Sequence, residues 1–217
     1  MFVSMAGNIG AGKTTAAHLL GDAFGLRVLE EPVVDNRFLA RYYADMRRWS
    51  FTLQMEFLLR RVEHHQVVAH GADGYVQDRT LLEDPEVFAK YLHGLGNMSD
   101  SELELYLDWC RAVLPTIRQP DRIVLLTCDS VEVLLDRIGQ RGRPEERSID
   151  RAFLQGLSAY YSTFHQVCER KYKIPTISIN IATTDIRTGK GRDNFIDMVG
   201  SFLETGETPS IPTQAQA

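Results

Sequence analysis

The most constraining feature of this chain is a glycine-rich segment near its start. It reads Gly7, Asn8, Ile9, Gly10, Ala11, Gly12, Lys13 and Thr14, followed by Thr15. The segment fits GxxxxGK[ST], follows an apolar run at residues 2–6 and precedes helical periodicity at residues 14–24. In such a strand–loop–helix context, backbone N–H groups surround phosphates, the lysine reaches the β- and γ-phosphates and the first threonine ligates Mg²⁺. We therefore expect an ATP site here rather than a plain glycine turn.

Further short apolar runs predict a parallel sheet with helices between its strands. The runs are residues 26–29, 74–77, 122–127 and 176–179, and the predicted helices are 48–70, 85–95, 99–118, 131–141 and 149–172. Ser99 and Glu102 form a capping-box pattern at the start of one helix. The expected fold is α/β, a P-loop NTPase-like sheet of five parallel strands flanked by helices. We expect one domain over residues 1–204 and a flexible tail over 205–217.

Composition narrows the classes of partner. A net charge of −5 and a pI near 5.7 provide no broad basic surface, so we expect no nucleic acid partner. Three cysteines without CxxC spacing favour neither a zinc site nor a disulfide framework. No apolar run approaches the ~20 residues of a membrane span, so we expect a cytoplasmic protein without a membrane partner.

Acidic residues follow two of the predicted strands. Glu30 and Glu31 precede Pro32 after the second strand, and Asp78 with Arg79 follows the third. The carboxyl ends of parallel strands open onto a ligand crevice, where a carboxylate can accept a proton from an attacking hydroxyl. Asp78 could hold Mg²⁺ and Arg79 could bind phosphoryl oxygens. For either acid alone, a surface salt bridge or a helix cap is the commoner explanation.

Three arginines cluster at the end of a predicted helix. Arg137, Arg141 and Arg143 are spaced with glycines on either side of a turn, within residues 137–148. Guanidinium groups at this spacing can close over a triphosphate as a lid that stabilises developing charge and excludes water. The alternative is a basic helix end that complements the helix dipole.

These four motifs in this order, together with the segment RYYADMRRWSFTLQ at residues 41–54, resemble the deoxyribonucleoside kinase family, which includes deoxycytidine and deoxyguanosine kinases. The resemblance runs from residue 1 to about 172. Residues 30–61 are most similar to the bacterial deoxyadenosine/deoxyguanosine kinases. The expected function is therefore ATP-dependent 5′-phosphorylation of a deoxyribonucleoside, with a purine preferred.

The resemblance also implies roles for individual residues. Glu31 would activate the 5′-hydroxyl with Arg79 beside it, while Lys13, Arg141 and Arg143 would neutralise phosphate charge. Residues 182–185 fall where the family holds the donor adenine. The implied nucleoside site consists of Tyr43 and Glu146 at the sugar 3′-hydroxyl, Gln54, Arg61 and Asp84 at the base edge, and Phe88 stacked on the ring.

Two positions depart from the family pattern. Thr80 stands where serine is usual and keeps the hydroxyl, whereas Pro85 stands where arginine is common and removes a possible partner of Asp84. Two alternatives to the kinase remain: a nucleoside monophosphate kinase of the thymidylate kinase type, and a nucleotide-gated switch or binding module. Ranking of the bases stays open. The resemblance also implies a homodimer, for which residues 99–118 supply candidate apolar contacts.

Overall fold

The computed structural model describes residues 1–30, 36–71 and 73–207. Glu31 and the predicted tail beyond residue 207 lie outside these ranges. The described chain forms a five-stranded sheet in the order β2-β3-β1-β4-β5, with every strand pair parallel. The strands are β1 (Phe2–Gly7), β2 (Arg27–Leu29), β3 (Tyr75–Gln77), β4 (Arg122–Thr127) and β5 (Thr176–Asn180). The predicted fold class is confirmed.

The central strand, β1, is covered on both faces and marks the point where the winding of the sheet reverses. All six residues of β1 are buried, as is expected of a strand that lies between two helix layers. Because β1 pairs with β3 on one side and β4 on the other, the chain reverses its winding direction at β1. Ligands bind at such a switch point, beyond the carboxyl ends of the strands.

The helices surround this sheet. They are α1 (Lys13–Phe24), α2 (Leu39–Ala44), α3 (Met46–His70), α4 (Ala89–Gly94), α5 (Asp100–Val113), α6 (Val131–Arg141), α7 (Arg151–Lys171) and α8 (Gly189–Thr205). The capping box at Ser99 and Glu102 is present as predicted. Asp45, Ser130 and Asp150 cap α3, α6 and α7 by accepting a backbone N–H in the first turn.

The structure differs from the sequence-based prediction in the segment before α4. Residues 84–88 form a π-helix rather than the start of an α-helix. Wider π turns occur often at functional sites, and here both ends of the turn, Asp84 and Phe88, line the same cleft. The 99–118 prediction was also too long, because α5 ends at Val113 and a short 3₁₀ turn follows.

Two helices were not predicted. α2 has six residues, which is too short for a periodic pattern to stand out. α8 contains Gly191 and Gly200, which lower helix propensity, yet Phe195, Val199 and Phe202 lie on one face and are buried in the main core. Tertiary packing therefore outweighs local propensity in α8. Within the described residues, no helix is long and apolar enough to cross a bilayer.

Candidate active site

The glycine-rich loop follows β1 and turns directly into α1. Gly10 has φ of 81°, and a Cβ there would lie 2.7 Å from the carbonyl oxygen of Leu134, so only glycine fits. Gly12, with φ of 88°, leads into the first turn of α1. Lys13 is buried and its Nζ donates to the carbonyls of Gly7 and Asn8 at 2.8 and 2.9 Å. The lysine therefore spans the concave side of the loop.

Thr14 and Asp78 bring two oxygen ligands together beside this loop. The Thr14 hydroxyl donates to Asp78 Oδ2 at 2.5 Å, which joins the start of α1 to the residue that follows β3. Asp78 is only 4% exposed. A hydroxyl and a carboxylate oxygen are the hard ligands that Mg²⁺ prefers, so this pair has the right chemistry for a metal that also contacts phosphates.

Arg79 adopts a strained conformation at the same edge of the sheet. Its φ of 79° lies in the left-handed region, which is uncommon for a residue with a side chain. The guanidinium is buried, donates to Glu83 and to the Tyr161 hydroxyl at 3.1 Å each, and lies 4.7 Å from the centre of the Phe88 ring. These contacts fix a positive charge between the phosphate loop and the rest of the cleft.

The far half of the cleft is polar and aromatic. Gln54 is 3% exposed, and its Oε1 has no hydrogen-bond partner among residues 1–30, 36–71 and 73–207. Tyr42 and Tyr43 pack edge to face at 4.9 Å, and burial raises the pKa of Tyr42 above its usual value, so its phenol stays neutral. A buried amide oxygen of this kind is ready to accept a hydrogen bond from a ligand.

Arg61 and Asp84 form a buried ion pair next to Gln54. Arg61 Nη1 lies 2.7 Å from Asp84 Oδ2, and each side chain is 2% exposed. The Arg61 guanidinium also lies 4.9 Å from the centre of the Phe57 ring. The partner for Asp84 that Pro85 could not provide is therefore Arg61, which comes from α3.

The lid arginines approach the cleft from the end of α6. Arg137 donates to the carbonyls of Ala11 and Ile181 at 3.4 and 3.5 Å. Arg141 donates to Glu146 through Nε at 3.1 Å and Nη2 at 2.5 Å, and Arg143 reaches the same carboxylate at 3.4 Å. Glu146 therefore holds Arg141 and Arg143 beside the cleft, which Glu146 and Tyr43 both line.

Most of the predicted site residues share one cleft of about 500 Å³. Gly7, Asn8 and Ala11 do not line it, since Gly7 ends β1, the Asn8 side chain binds α7 and Ala11 is in the core. The predicted residues that line the cleft are Ile9, Gly10, Gly12, Lys13, Thr14, Thr15, Tyr43, Gln54, Arg61, Asp78, Arg79, Asp84, Phe88, Arg137, Arg141, Arg143 and Glu146.

Several residues of the site were missed by sequence reasoning. Ile186 and Arg187 line the cleft just beyond the 182–185 segment, and Arg187 pairs with Asp185, whose pKa this contact lowers to about 2. Glu83 and Tyr161 hold Arg79 from behind the cleft. Residues 79–82 are not helical, so the four-residue spacing of Arg79 and Glu83 gave no helix-pair signal, and Tyr161 is too distant in sequence to give one.

The phosphate loop, the two oxygen ligands beside it and the arginine-lined mouth on a parallel sheet define a P-loop phosphotransferase. A deoxynucleoside kinase family model matches residues 3–204. The chain therefore belongs to the deoxynucleoside kinase family. The sequence-based prediction of family and enzyme class is confirmed.

Curated relatives are similar over most of the chain. A deoxyadenosine/deoxycytidine kinase of Bacillus subtilis is 29% identical, and the match covers 94% of each chain. A deoxyadenosine kinase of Dictyostelium discoideum is 38% identical, over 82% of this chain and 71% of the relative. Among solved structures, the M. mycoides deoxyadenosine kinase with bound dATP superposes with a TM-score of 0.80 at 26% identity, covering 94% of this chain and 100% of that one.

Proposed function

We propose that this chain transfers the γ-phosphoryl group of ATP to the 5′-hydroxyl of a deoxyribonucleoside, with a purine preferred. The observation that carries the proposal is one cleft with two chemically distinct halves. The phosphate loop with Lys13 forms one half, and the buried amide of Gln54 beside the Arg61–Asp84 pair forms the other. A triphosphate and an uncharged base therefore each have a matching surface.

In the proposed reaction the chain's residues position reactants and stabilise charge. Lys13, Arg141 and Arg143 neutralise charge on the transferred phosphoryl group, and the lid excludes water that would compete with the alcohol. Glu31 accepts the proton of the 5′-hydroxyl, a role taken from the family resemblance because Glu31 lies outside the described residues. Arg79 holds the reacting oxygens in place.

Mg²⁺ is the proposed metal. The contact between the Thr14 hydroxyl and Asp78 supports this choice, since both are hard oxygen ligands beside the loop that holds the phosphates. When bound, the metal supplies positive charge to phosphate oxygens. Thr14 and Asp78 would hold it.

The nucleoside half supports base recognition through hydrogen bonds. The amide of Gln54 offers an acceptor and two donors, which match the N6 amino group and a ring nitrogen of adenine, and an amide flip suits guanine. Phe88 stacks on the base, and Tyr43 with Glu146 binds the 3′-hydroxyl. The purine preference is supported by the relatives whose names specify deoxyadenosine or deoxyguanosine.

The acceptor half favours a nucleoside over a nucleoside monophosphate. An acceptor that already carries a phosphate requires uncompensated positive charge in its pocket. Arg61, however, is paired with the buried carboxylate of Asp84. The base-recognition end of the pocket therefore carries little net charge, which suits a neutral acceptor.

Steady-state kinetics with Mg-ATP and each of the four deoxyribonucleosides tests the proposal, with deoxythymidine monophosphate as the rival acceptor. The proposal predicts the highest kcat/KM for deoxyadenosine or deoxyguanosine. It also predicts that Glu31→Gln loses turnover while ATP still binds. Activity on the monophosphate alone would favour the rival, and ATP hydrolysis indifferent to nucleosides would favour a switch or binding module.

We propose a homodimer formed through α5. Leu105 and Trp109 lie four residues apart on one face of this helix and are 48% and 51% exposed. Exposed apolar side chains on one helix face are typical of a subunit interface. The variant Leu105→Glu/Trp109→Glu is expected to sediment as a monomer while the wild type sediments as a dimer, and identical sedimentation would contradict this assignment.

We further propose that residues 1–204 form one kinase domain whose lid spans about 137–148.

The cytosol is the proposed compartment, because it keeps unpaired thiols reduced, and Cys110, Cys128 and Cys168 are free. Burial raises the pKa of Cys110 and of Cys168 to about 12, which keeps both thiols protonated and unreactive.

A further inference from the structure

Glu83 is a fully buried carboxylate that the proposed chemistry does not use. Its Oε1 accepts from the backbone N–H of Gly7 at 2.9 Å, from Arg79 Nη1 at 3.1 Å and from the Tyr161 hydroxyl at 2.5 Å. Its Oε2 accepts from the backbone N–H of Thr80 at 3.0 Å. A buried charge is tolerated only when it is paired and hydrogen-bonded, and these four donors meet that condition.

These donors come from three separate parts of the active site. Gly7 is the first residue of the phosphate loop, Arg79 and Thr80 belong to the loop after β3, and Tyr161 belongs to the helix that follows the lid. The single carboxylate of Glu83 thus joins the phosphate loop, the loop after β3 and the helix that follows the lid. Its contact with Arg79 also holds that residue at its positive φ.

α7 contacts both loops along one face. The Asn8 side-chain amide donates to the Leu154 carbonyl at 3.0 Å and to the Ser158 hydroxyl at 2.9 Å. One turn further along α7, the Tyr161 hydroxyl meets Glu83 and Arg79. The phosphate loop and the arginine loop are therefore fixed against the same rigid helix.

We propose that Glu83, with Tyr161, is a positioning residue that holds Arg79 and the phosphate loop at the separation required for phosphoryl transfer. This inference rests on the proposed kinase function. Glu83 touches neither ATP nor the nucleoside in this role and acts through Arg79 and the backbone of Gly7. Misplacement of a charge near the reacting atoms lowers the rate of the chemical step more than it weakens substrate binding.

A second buried carboxylate provides a matched control. Glu86 lies three residues after Glu83 and accepts from Lys90 at 2.6 Å, from Lys171 at 2.5 Å and from the Tyr172 hydroxyl at 2.6 Å. It joins the segment before α4 to the far end of α7 and contacts neither Arg79 nor the phosphate loop. Loss of the phenolic hydroxyl from Tyr161 or from Tyr172 thus removes the same chemical group, in each case a donor to a buried glutamate, and only Tyr161 also contacts Arg79.

The test compares Tyr161→Phe with Tyr172→Phe by steady-state kinetics with Mg-ATP and deoxyadenosine or deoxyguanosine, whichever the wild type prefers. We expect Tyr161→Phe to lower kcat about tenfold or more while KM for the nucleoside changes less than about threefold. We expect Tyr172→Phe to keep kcat within about twofold. Thermal unfolding of both variants checks that the assay temperature lies below each transition.

Glu83→Gln removes the charge and keeps the shape of the side chain, and we expect a larger fall in kcat than Tyr161→Phe causes. If Glu83→Gln fails to fold, Tyr161→Phe alone decides the question. Equal effects of the two tyrosine variants, or an unchanged kcat for Tyr161→Phe, would overturn the positioning role. A wild-type protein inactive on every deoxyribonucleoside would instead overturn the proposed function.

Discussion

The buried ion pair between Arg61 and Asp84 gives the sharpest prediction about stability. Replacing Asp84 with asparagine keeps the side-chain shape and removes the carboxylate that lies 2.7 Å from the Arg61 guanidinium, which is 2% exposed. Breaking a buried pair by removing one partner costs about 3–5 kcal/mol of the free energy of unfolding. For a chain of this size each kcal/mol lowers Tm by about 2–4 °C, so we expect a fall of roughly 6–20 °C.

Asp100 supplies a control for the loss of a carboxylate. Its side chain pairs with His93 at 2.7 Å and is 99% exposed. A surface pair contributes about 0–1 kcal/mol, so Asp100→Asn should leave the free energy of unfolding nearly unchanged. Urea titration followed by circular dichroism measures both variants. An Asp84→Asn variant as stable as Asp100→Asn would show that Arg61 and Asp84 do not behave as a desolvated pair.

The double variant Arg61→Met/Asp84→Leu separates stability from recognition. Replacing both charges with apolar groups removes the two members of the pair together, and such exchanges are often neutral or stabilising. We expect the free energy of unfolding to return to within about 1 kcal/mol of the wild type. We also expect kcat/KM for the nucleoside to stay low, because two of the three polar side chains at the base edge are gone.

Three further results are expected. Lys13→Met should lower kcat by roughly 10²–10³-fold in the phosphorylation assay, because a positive charge on the phosphate side is lost. Thr14→Val should raise the Mg²⁺ concentration needed for half-maximal rate, since one of the two oxygen ligands beside Asp78 is removed. Burial lowers the pKa of His65 to about 4, so the unfolded chain binds a proton more readily than the folded chain does. The free energy of unfolding should therefore fall by at most about 3 kcal/mol from pH 6.5 to pH 4. In urea titrations, His65→Gln should make this fall smaller.

The sheet and the phosphate loop were predictable from local sequence. Short apolar runs separated by helical periodicity define parallel strands, and GxxxxGKT fixes the loop between β1 and α1. Both signals arise within a few residues. The same holds for the capping box of α5, where Ser99 and Glu102 satisfy each other's backbone N–H groups.

Contacts between distant segments were not predictable in the same way. The pairing of Arg61 with Asp84 depends on how α3 crosses the π-helix, and the hydrogen bond from Tyr161 to Glu83 joins residues 78 positions apart. The sequence does not distinguish the π-helix from an α-helix, because Pro85 in its first turn marks the start of a helix of either kind. Tertiary geometry decides such features, and periodicity does not encode it.

The proposed reaction is the transfer of a phosphoryl group to a nucleoside hydroxyl. Incubation of the protein with Mg-ATP and deoxyadenosine, followed by ³¹P NMR and mass spectrometry of the products, tests it most directly. We expect deoxyadenosine 5′-monophosphate and ADP in equal amounts. Release of ADP and inorganic phosphate without any phosphorylated nucleoside would contradict it.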